Sequence, residues 1–314
     1  MTETYLVTGG AGFIGSHIVE ALVKAGHAVR VIDNFATGKP ENIAHLRDRI
    51  DFYEIDITER AALDAPMAGV DYVLHQAAIP SVPRSVDDPL GTHDANVTGT
   101  VNVLDAARKA GVRRVVYAAS SSAYGEIEGE YKREDMAPQP LSPYAAAKLA
   151  GEYYCRAFYE VYGLETISLR YFNVFGPRQD PTSQYAAVIP LFITAMLDGK
   201  PPTVYGDGLQ SRDFTYIDNV VHGNLLACKA PSSAARGEVI NLACGDRITL
   251  LELIEQLNAT LGTDIRPVHT DPRPGDILHS RADIHKARRL LGFEPQVSFR
   301  EGLARTVAWF EAQG

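Results

Sequence analysis

Tyr144 and Lys148 stand one helical turn apart, and a serine run, Ser120-Ser121-Ser122, ends 22 residues before the tyrosine. These are the side chains in the chain best suited to proton transfer. A phenol is a poor base at neutral pH, with an unperturbed pKa of about 10. An ammonium four residues along the same helix face favours the phenolate, and a positive ring nearby would favour it further. Such a phenolate can take a proton from a hydroxyl that a serine also holds, while the carbon beneath gives up hydride. A tyrosine and lysine at this spacing also occur by chance on surface helices, so their meaning depends on what positions them.

Ser142 suits a helix N-cap and Pro143 the first helical position, so a helix is expected from there to Tyr162, stopping at Gly163. The serines follow an apolar run, Arg113 to Ala119, that reads as a fifth strand. Four more such runs precede it, at Tyr5 to Thr8, Ala28 to Ile32, Asp51 to Ile55 and Val70 to His75, and a sixth follows from Thr166 to Arg170. Helical stretches separate most of them, including Ser16 to Ala25 and Asp94 to Ala110. The alternation implies a doubly wound parallel sheet with right-handed crossovers, an α/β Rossmann fold. Ligands in such sheets collect beyond the carboxyl ends of the strands, where Gly9, Asp33, Asp56, Ala77 and Ser120 all fall.

The first strand runs into Gly9-Gly10-Ala11-Gly12-Phe13-Ile14-Gly15. Gly9 permits a tight turn, Gly12 lets the backbone approach a pyrophosphate, and Gly15 lets the helix pack close to the strand. The helix start aims amides and partial positive charge at the phosphates. Asp33 lies 18 residues past Gly15, near the spacing at which a carboxylate takes ribose hydroxyls. It would repel a 2′-phosphate, so the expected cofactor is NAD. Asp56-Ile57 would face the adenine, and Gln76-Ala77-Ala78 would let the pyrophosphate and nicotinamide ribose lie against the backbone.

Composition narrows the partners. The 314 residues are 46% hydrophobic and 22% charged, with a net charge of -9 and no basic tract, which argues against a nucleic-acid or anionic-membrane surface. No apolar run is long enough to span a bilayer, and the chain enters its first strand by Tyr5, so neither a membrane span nor a signal peptide is expected. Cys155, Cys228 and Cys244 are odd in number and lack metal-like spacing; they read as reduced thiols of a cytoplasmic protein. The nine histidines form no ligand pattern, so no metal is expected.

Taken together, these motifs resemble the extended short-chain dehydrogenases/reductases, and within them the UDP-hexose 4-epimerases. The likeness rests on the glycine turn, Asp33-Asn34, His75-x-Ala77-Ala78, Asn96-x-x-Gly99-Thr100, the serines before Tyr124-Gly125, Tyr144-x-x-x-Lys148 and Arg170-Tyr171-Phe172-Asn173. More selective are Val204-Tyr205-Gly206-Asp207-Gly208 with Ser211-Arg212-Asp213-Phe214, and Arg273-Pro274-Gly275-Asp276. The resemblance implies cofactor contacts from Gly9, Gly12, Phe13, Ile14, Gly15, Asp33, Asn34, Phe35, Thr37, Gly38, Asp56, Ile57, Gln76, Ala77, Ala78, Asn96, Tyr144, Lys148 and Tyr171. It implies substrate contacts from Ser121, Ser122, Asn173, Gln179, Val188, Tyr205, Arg212, Arg273, Asp276 and Ser280. Arg212 and Arg273 would clamp the diphosphate, Asp276 the uridine ribose, and Tyr205 would lie near the uracil.

Two positions sort the subfamily. Related dehydratases and decarboxylases carry carboxylates after the strand-five hydroxyl, whereas Ser120 is followed here by Ser121 and Ser122. Epimerases restricted to non-acetylated sugars resemble one another in a bulky tyrosine four past the Asp276 position; this chain has Ser280, and Gln179 and Ser122 match acetamido contacts. One departure is Pro80, where some epimerases carry a lysine. The implied activity is NAD-dependent 4-epimerisation of UDP-Glc/UDP-Gal and UDP-GlcNAc/UDP-GalNAc through a 4-keto sugar. The alternatives are a UDP-glucuronate 4-epimerase and a non-catalytic NAD-binding regulator. The expected division is a Rossmann domain over 1–175 and a nucleotide-sugar domain over 176–314, of which 214–244 returns to the first. A homodimer is expected through a four-helix bundle of the stretches near 94–110 and 143–162, with Val101, Leu104, Tyr154 and Phe158 outward.

Overall fold

The computed structural model describes residues 2–127, 129–181, 187–272 and 279–313. Seven strands form one parallel sheet. Six are those expected from sequence: β1 (Thr4–Thr8), β2 (Ala28–Asp33), β3 (Asp51–Glu54), β4 (Tyr72–His75), β5 (Arg114–Ser120) and β6 (Glu165–Tyr171). The seventh, Arg236–Leu242, pairs with β6, giving the spatial order β3-β2-β1-β4-β5-β6 and then the seventh. The order reverses between β1 and β4, which is where such sheets bind ligands.

Alternation along the strands assigns the two faces. Tyr5, Val7, Val29, Val31, Tyr72 and Leu74 pack into one core layer, with α1 (Phe13–Lys24) and the helix Ile217–Lys229 supplying Ile18, Val19, Leu22, Val220 and Val221. Leu6, Ile32, Val73, Val115 and Tyr117 point the other way, against Val103, Leu104, Ala106 and Ala107 of Gly99–Ala110 and Cys155 and Phe158 of Pro143–Tyr162. Both faces are buried, which is why these strands read as nearly continuous apolar runs.

Helix Pro143–Tyr162 has the ends its sequence implies. The Ser142 hydroxyl accepts from Ala145 N at 3.1 Å, and Gly163 closes it at φ 73°. Further upstream, the helical stretch that begins at Asp94 opens with a π-helical turn, Asp94–Thr98, before Gly99–Ala110 continues as an α-helix. The wide turn accompanies a close approach at Gly99, where an added Cβ would stand 2.6 Å from Ile57 Cδ1.

The outward faces expected for a dimer need correction. Leu104 is 0% exposed and Phe158 8%. Both belong to the layer under the sheet, because helical spacing alone does not say which side faces the strands. The apolar residues that face out on Pro143–Tyr162 are Tyr153, Tyr154, Val161 and Tyr162. Replacing Leu104 by Ala is accordingly expected to destabilise the fold by about 2–5 kcal/mol in denaturant titrations, whereas Tyr154→Ala changes stability by no more than about 0.5 kcal/mol in the monomer.

Candidate active site

A single cleft of about 1490 Å³ runs along the carboxyl edge of the sheet. It brings together Gly9, Gly12, Phe13, Ile14, Gly15, Asp33, Asn34, Thr37, Asp56, Ile57, Gln76, Ala77, Ala78, Tyr171, all three serines, Tyr144, Lys148, Asn173, Gln179, Arg212 and Ser280. These residues span more than 270 positions of sequence and meet because every strand ends on the same side.

The glycine turn is closely packed. Gly9 has φ 67°, and a Cβ there would lie 2.7 Å from the backbone of Ala77. At Gly15 it would lie 2.1 Å from the Gly9 carbonyl oxygen, and at Gly10 2.5 Å from Val31 Cγ1. Gly12 differs: the only neighbour of an added Cβ is the Gly9 oxygen at 3.2 Å, so this residue faces the cleft. The turn thus has room on its open side for a bulky anion at the start of α1. Gly10 carried no role in the sequence reading, since its restriction comes from a β2 side chain.

Asp33 is buried at the end of β2. Its Oδ2 accepts from Ala11 N at 2.9 Å and its Oδ1 from Phe35 N at 2.8 Å. Burial pushes its pKa up, and these amides pull the other way. The side chain therefore ties the glycine turn to the loop after β2. Gly38 packs beneath this carboxylate, where a Cβ would come within 2.8 Å of Oδ1.

Several expected contacts are placed elsewhere. Asn96 is buried behind the cleft wall, its Oδ1 accepting from Ile79 N at 2.8 Å and its amide donating to Ile79 O at 3.2 Å, so it shapes the loop after β4 instead of lining the cleft. Phe35 stacks on Phe52 with ring centroids 5.2 Å apart and does not line the cleft. Tyr205 ends the strand Thr203–Tyr205 and Val188 begins the helix Val188–Leu197; neither is among the residues lining the cleft, although Ala187, just before Val188, is. Arg273 and Asp276 lie outside the described residues.

A buried polar chain supports the β4 end. Ala77 N donates to Thr8 Oγ1 at 3.2 Å, and Thr8 Oγ1 lies 2.7 Å from His75 Nδ1. His75 Nε2 lies 3.0 Å from Thr100 Oγ1, which donates to Asn96 O at 2.7 Å. Because Thr100 spends its proton on that carbonyl, His75 must donate from Nε2 and accept at Nδ1. Burial and the Lys148 charge lower the His75 pKa to about 3, so the ring is neutral and every member is satisfied. Gln76 and Tyr171 join a second cluster around Asn224, whose Oδ1 accepts from the Tyr171 hydroxyl at 2.9 Å. No sequence motif marked Asn224.

At the far side of the cleft, Tyr144 is half-buried and faces Ser120. Ser120 Oγ accepts from Ser122 N at 3.2 Å and from Ser122 Oγ at 2.9 Å, which leaves its own proton free to be given to the phenol oxygen. Burial raises the phenol's pKa and the Ser120 hydroxyl draws it down. Lys148 Nζ donates to Ala118 O at 2.9 Å and lies 5.1 Å above the Tyr117 ring. Its burial lowers the ammonium to about 8. One of the lysine's three donors is thus taken by a strand carbonyl, and the phenol's own hydrogen-bond partner is Ser120. Ser85, also unmarked in sequence, accepts from Tyr144 N at 3.0 Å and donates to Val82 O at 2.6 Å, fixing the first turn of the helix.

The end of the cleft that holds Arg212 and Ser280 is built from short strands. Ser211–Arg212 pairs with His279–Ser280 and with Ile248–Thr249, putting Arg212 opposite Ser280. Asp213 is 0% exposed and accepts from the amides of Cys244 (3.1 Å), Gly245 (3.0 Å) and Ala282 (3.1 Å). Burial pushes this carboxyl up to about 7. Asn173 and Arg178 adopt φ 32° and 67° at the cleft edge. Gln179 donates to Val174 O at 3.2 Å.

This geometry defines a Rossmann-fold dinucleotide cleft joined to a second ligand site. The profile of the NAD dependent epimerase/dehydratase family matches residues 5–243. The UDP-glucose 4-epimerase of Mycolicibacterium smegmatis is 39% identical over 314 residues, covering 97% of each chain. Among solved structures, the UDP-N-acetylglucosamine 4-epimerase of Methanobrevibacter ruminantium M1 in complex with UDP-N-acetylmuramic acid has a TM-score of 0.95 at 41% identity, covering 100% of both chains. The UDP-glucuronic acid 4-epimerase of Bacillus cereus, in complex with UDP-glucuronic acid and NAD, has a TM-score of 0.91 at 36% identity, covering 99% of this chain and 100% of that one. The chain belongs to the NAD dependent epimerase/dehydratase family, and so to the extended short-chain dehydrogenases/reductases, alongside UDP-sugar 4-epimerases.

Gly15→Ala is expected to leave the far-ultraviolet circular dichroism near that of the parent while weakening NAD binding at least about tenfold in calorimetry, because the methyl displaces the turn by more than a flexible side chain could absorb. Unchanged affinity would contradict the role assigned to that close approach.

Proposed function

We propose that this chain is an NAD-dependent UDP-hexose 4-epimerase that accepts UDP-GlcNAc/UDP-GalNAc as well as UDP-Glc/UDP-Gal. The observation that carries the reading is that Tyr144, Ser120 and Lys148 share one cleft with the open side of Gly12 and with Arg212 and Ser280. The residues suit NAD: Gly12 offers backbone with space above it, Asp33 can receive ribose hydroxyls, and Lys148 and Tyr171 flank the inner end. NAD held there supplies a two-electron acceptor and donor.

This chain's residues handle the proton and the tether. Tyr144 takes the C4 hydroxyl proton as C4 is oxidised, Ser120 orients that hydroxyl, and Arg212 keeps the diphosphate in place while the 4-keto sugar turns. Tyr144 then returns the proton as C4 is reduced on its other face, so substrate and product differ only in configuration. Ser121 and Ser122 supply no carboxylate, which favours this redox cycle over elimination or decarboxylation.

The purified protein is expected to interconvert UDP-GlcNAc with UDP-GalNAc and UDP-Glc with UDP-Gal, the C4 epimers being resolved by chromatography. Turnover of UDP-glucuronate alone, or of no UDP-sugar, would refute the proposal. Tyr144→Phe should lower kcat by about 10²–10⁴-fold, the range for a positioned general base. The Lys148 charge is present below about pH 8 and lost above it, so the rate should decline as pH rises through that value. Ser280→Tyr is expected to cut kcat/KM for UDP-GlcNAc at least about tenfold by filling the space beside the sugar, with UDP-glucose turnover kept within about threefold. Equal losses for both sugars would remove Ser280 from the specificity argument.

A further inference from the structure

Lys132 is a buried cation for which the mechanism so far has no use. It is 5% exposed and lines the cleft. Lysine is seldom this buried without a carboxylate, because an uncompensated charge is costly to remove from water. Yet among the described residues the neighbouring acids are engaged elsewhere: Glu130 with Arg281, Glu134 with the amide of Asn241, and Asp135 with Arg133. Among the described residues, the one hydrogen-bond partner of the Lys132 ammonium is Ile127 O. An ammonium has three donors, so two find no partner among the described residues.

The backbone of Lys132 already does the structural joining at this position. Its N–H donates to Arg281 O at 2.7 Å, and its carbonyl accepts from Asp283 N at 3.0 Å and from the Asn241 amide at 2.9 Å. The side chain is not needed for that. It is, however, well placed for a ligand. Lys132 bridges Ala282 in parallel, Ser280 lies two residues before Ala282, and Ser280 is paired with Arg212. Period-two geometry then puts Lys132, Ser280 and Arg212 on one face, and all three line the cleft. Ser280 is short and lines the cleft, so it takes up less of that space than a bulkier side chain would.

We propose that Lys132 is a specificity-determining residue of the sugar site, donating from its ammonium to the acetyl carbonyl oxygen of a 2-acetamido sugar seated against Ser280. The inference rests on the reading that a UDP-hexose occupies this cleft. A hydrogen bond from a charged donor accounts for about tenfold to hundredfold in binding or turnover. Lys132→Met should therefore lower kcat/KM for UDP-GlcNAc by that factor while UDP-glucose turnover stays within about threefold. Lys132→Gln, which keeps a neutral donor, should recover part of the loss. UDP-glucose turnover reports in the same tube that each variant is folded.

Equal losses with both sugars in both variants, or no loss with either, would overturn the assignment. So would a loss confined to UDP-glucuronate, which would give the ammonium to a carboxylate at C6. In each of those cases the parent's epimerisation of UDP-GlcNAc still reports separately on the proposed function.

Discussion

How near the start of α1 comes to the end of β1 is the constraint on which the site depends. The carbonyl of Gly9 and the Cα of Gly15 are in such contact that a single methyl would stand 2.1 Å from an oxygen, and one on Gly10 would stand 2.5 Å from Val31 Cγ1. Only residues without side chains permit this. The result is a helix N-terminus whose amides and partial charge open directly on the cleft, with Gly12 leaving that side bare. Asp33 extends the same arrangement sideways by gripping the Ala11 amide.

Behind that first layer sits a fully satisfied polar network. Thr8, His75, Thr100 and Asn96 pass hydrogen bonds from the end of β1, through β4, to the loop at Ile79. Each bond contributes modestly, about 1 kcal/mol, but an unmet buried donor costs about 1–3 kcal/mol, so the network is specific about the shape it allows. Asp213 performs the corresponding task at the Arg212 end of the cleft, collecting three amides from two segments. Both hubs act through backbone groups, which places the cleft walls without occupying the cleft.

Charge is managed differently at the reacting end. Burial disfavours both the Tyr144 phenolate and the Lys148 ammonium, so neither side chain is poised by its neighbour alone. Glu152, one turn beyond Lys148, helps hold the ammonium while itself forming a two-pronged ion pair with Arg170 at 2.8 and 2.7 Å. Ser120 is the group that bears directly on the phenol. The surroundings of the phenol and the ammonium thus draw on β5, β6 and one helix together.

The sequence by itself determined six of the seven strands, the glycine turn, the ends of helix Pro143–Tyr162 and the gathering of Asp33, Ala77 and Ser120 at one edge. These follow from local rules: period-two alternation, capping side chains, and the absence of a side chain where backbone must touch backbone. It did not determine which face of a helix meets the sheet, so Leu104 and Phe158 were expected outside and are inside. Nor could it show that Asn96 serves a loop, that Lys148 turns to Ala118, or that Ser85, Asn224 and Lys132 matter, because each depends on a partner from 17 to more than a hundred residues away. Tertiary structure decided those points: burial and distance belong to pairs of segments, and neither is a property of any one stretch of chain.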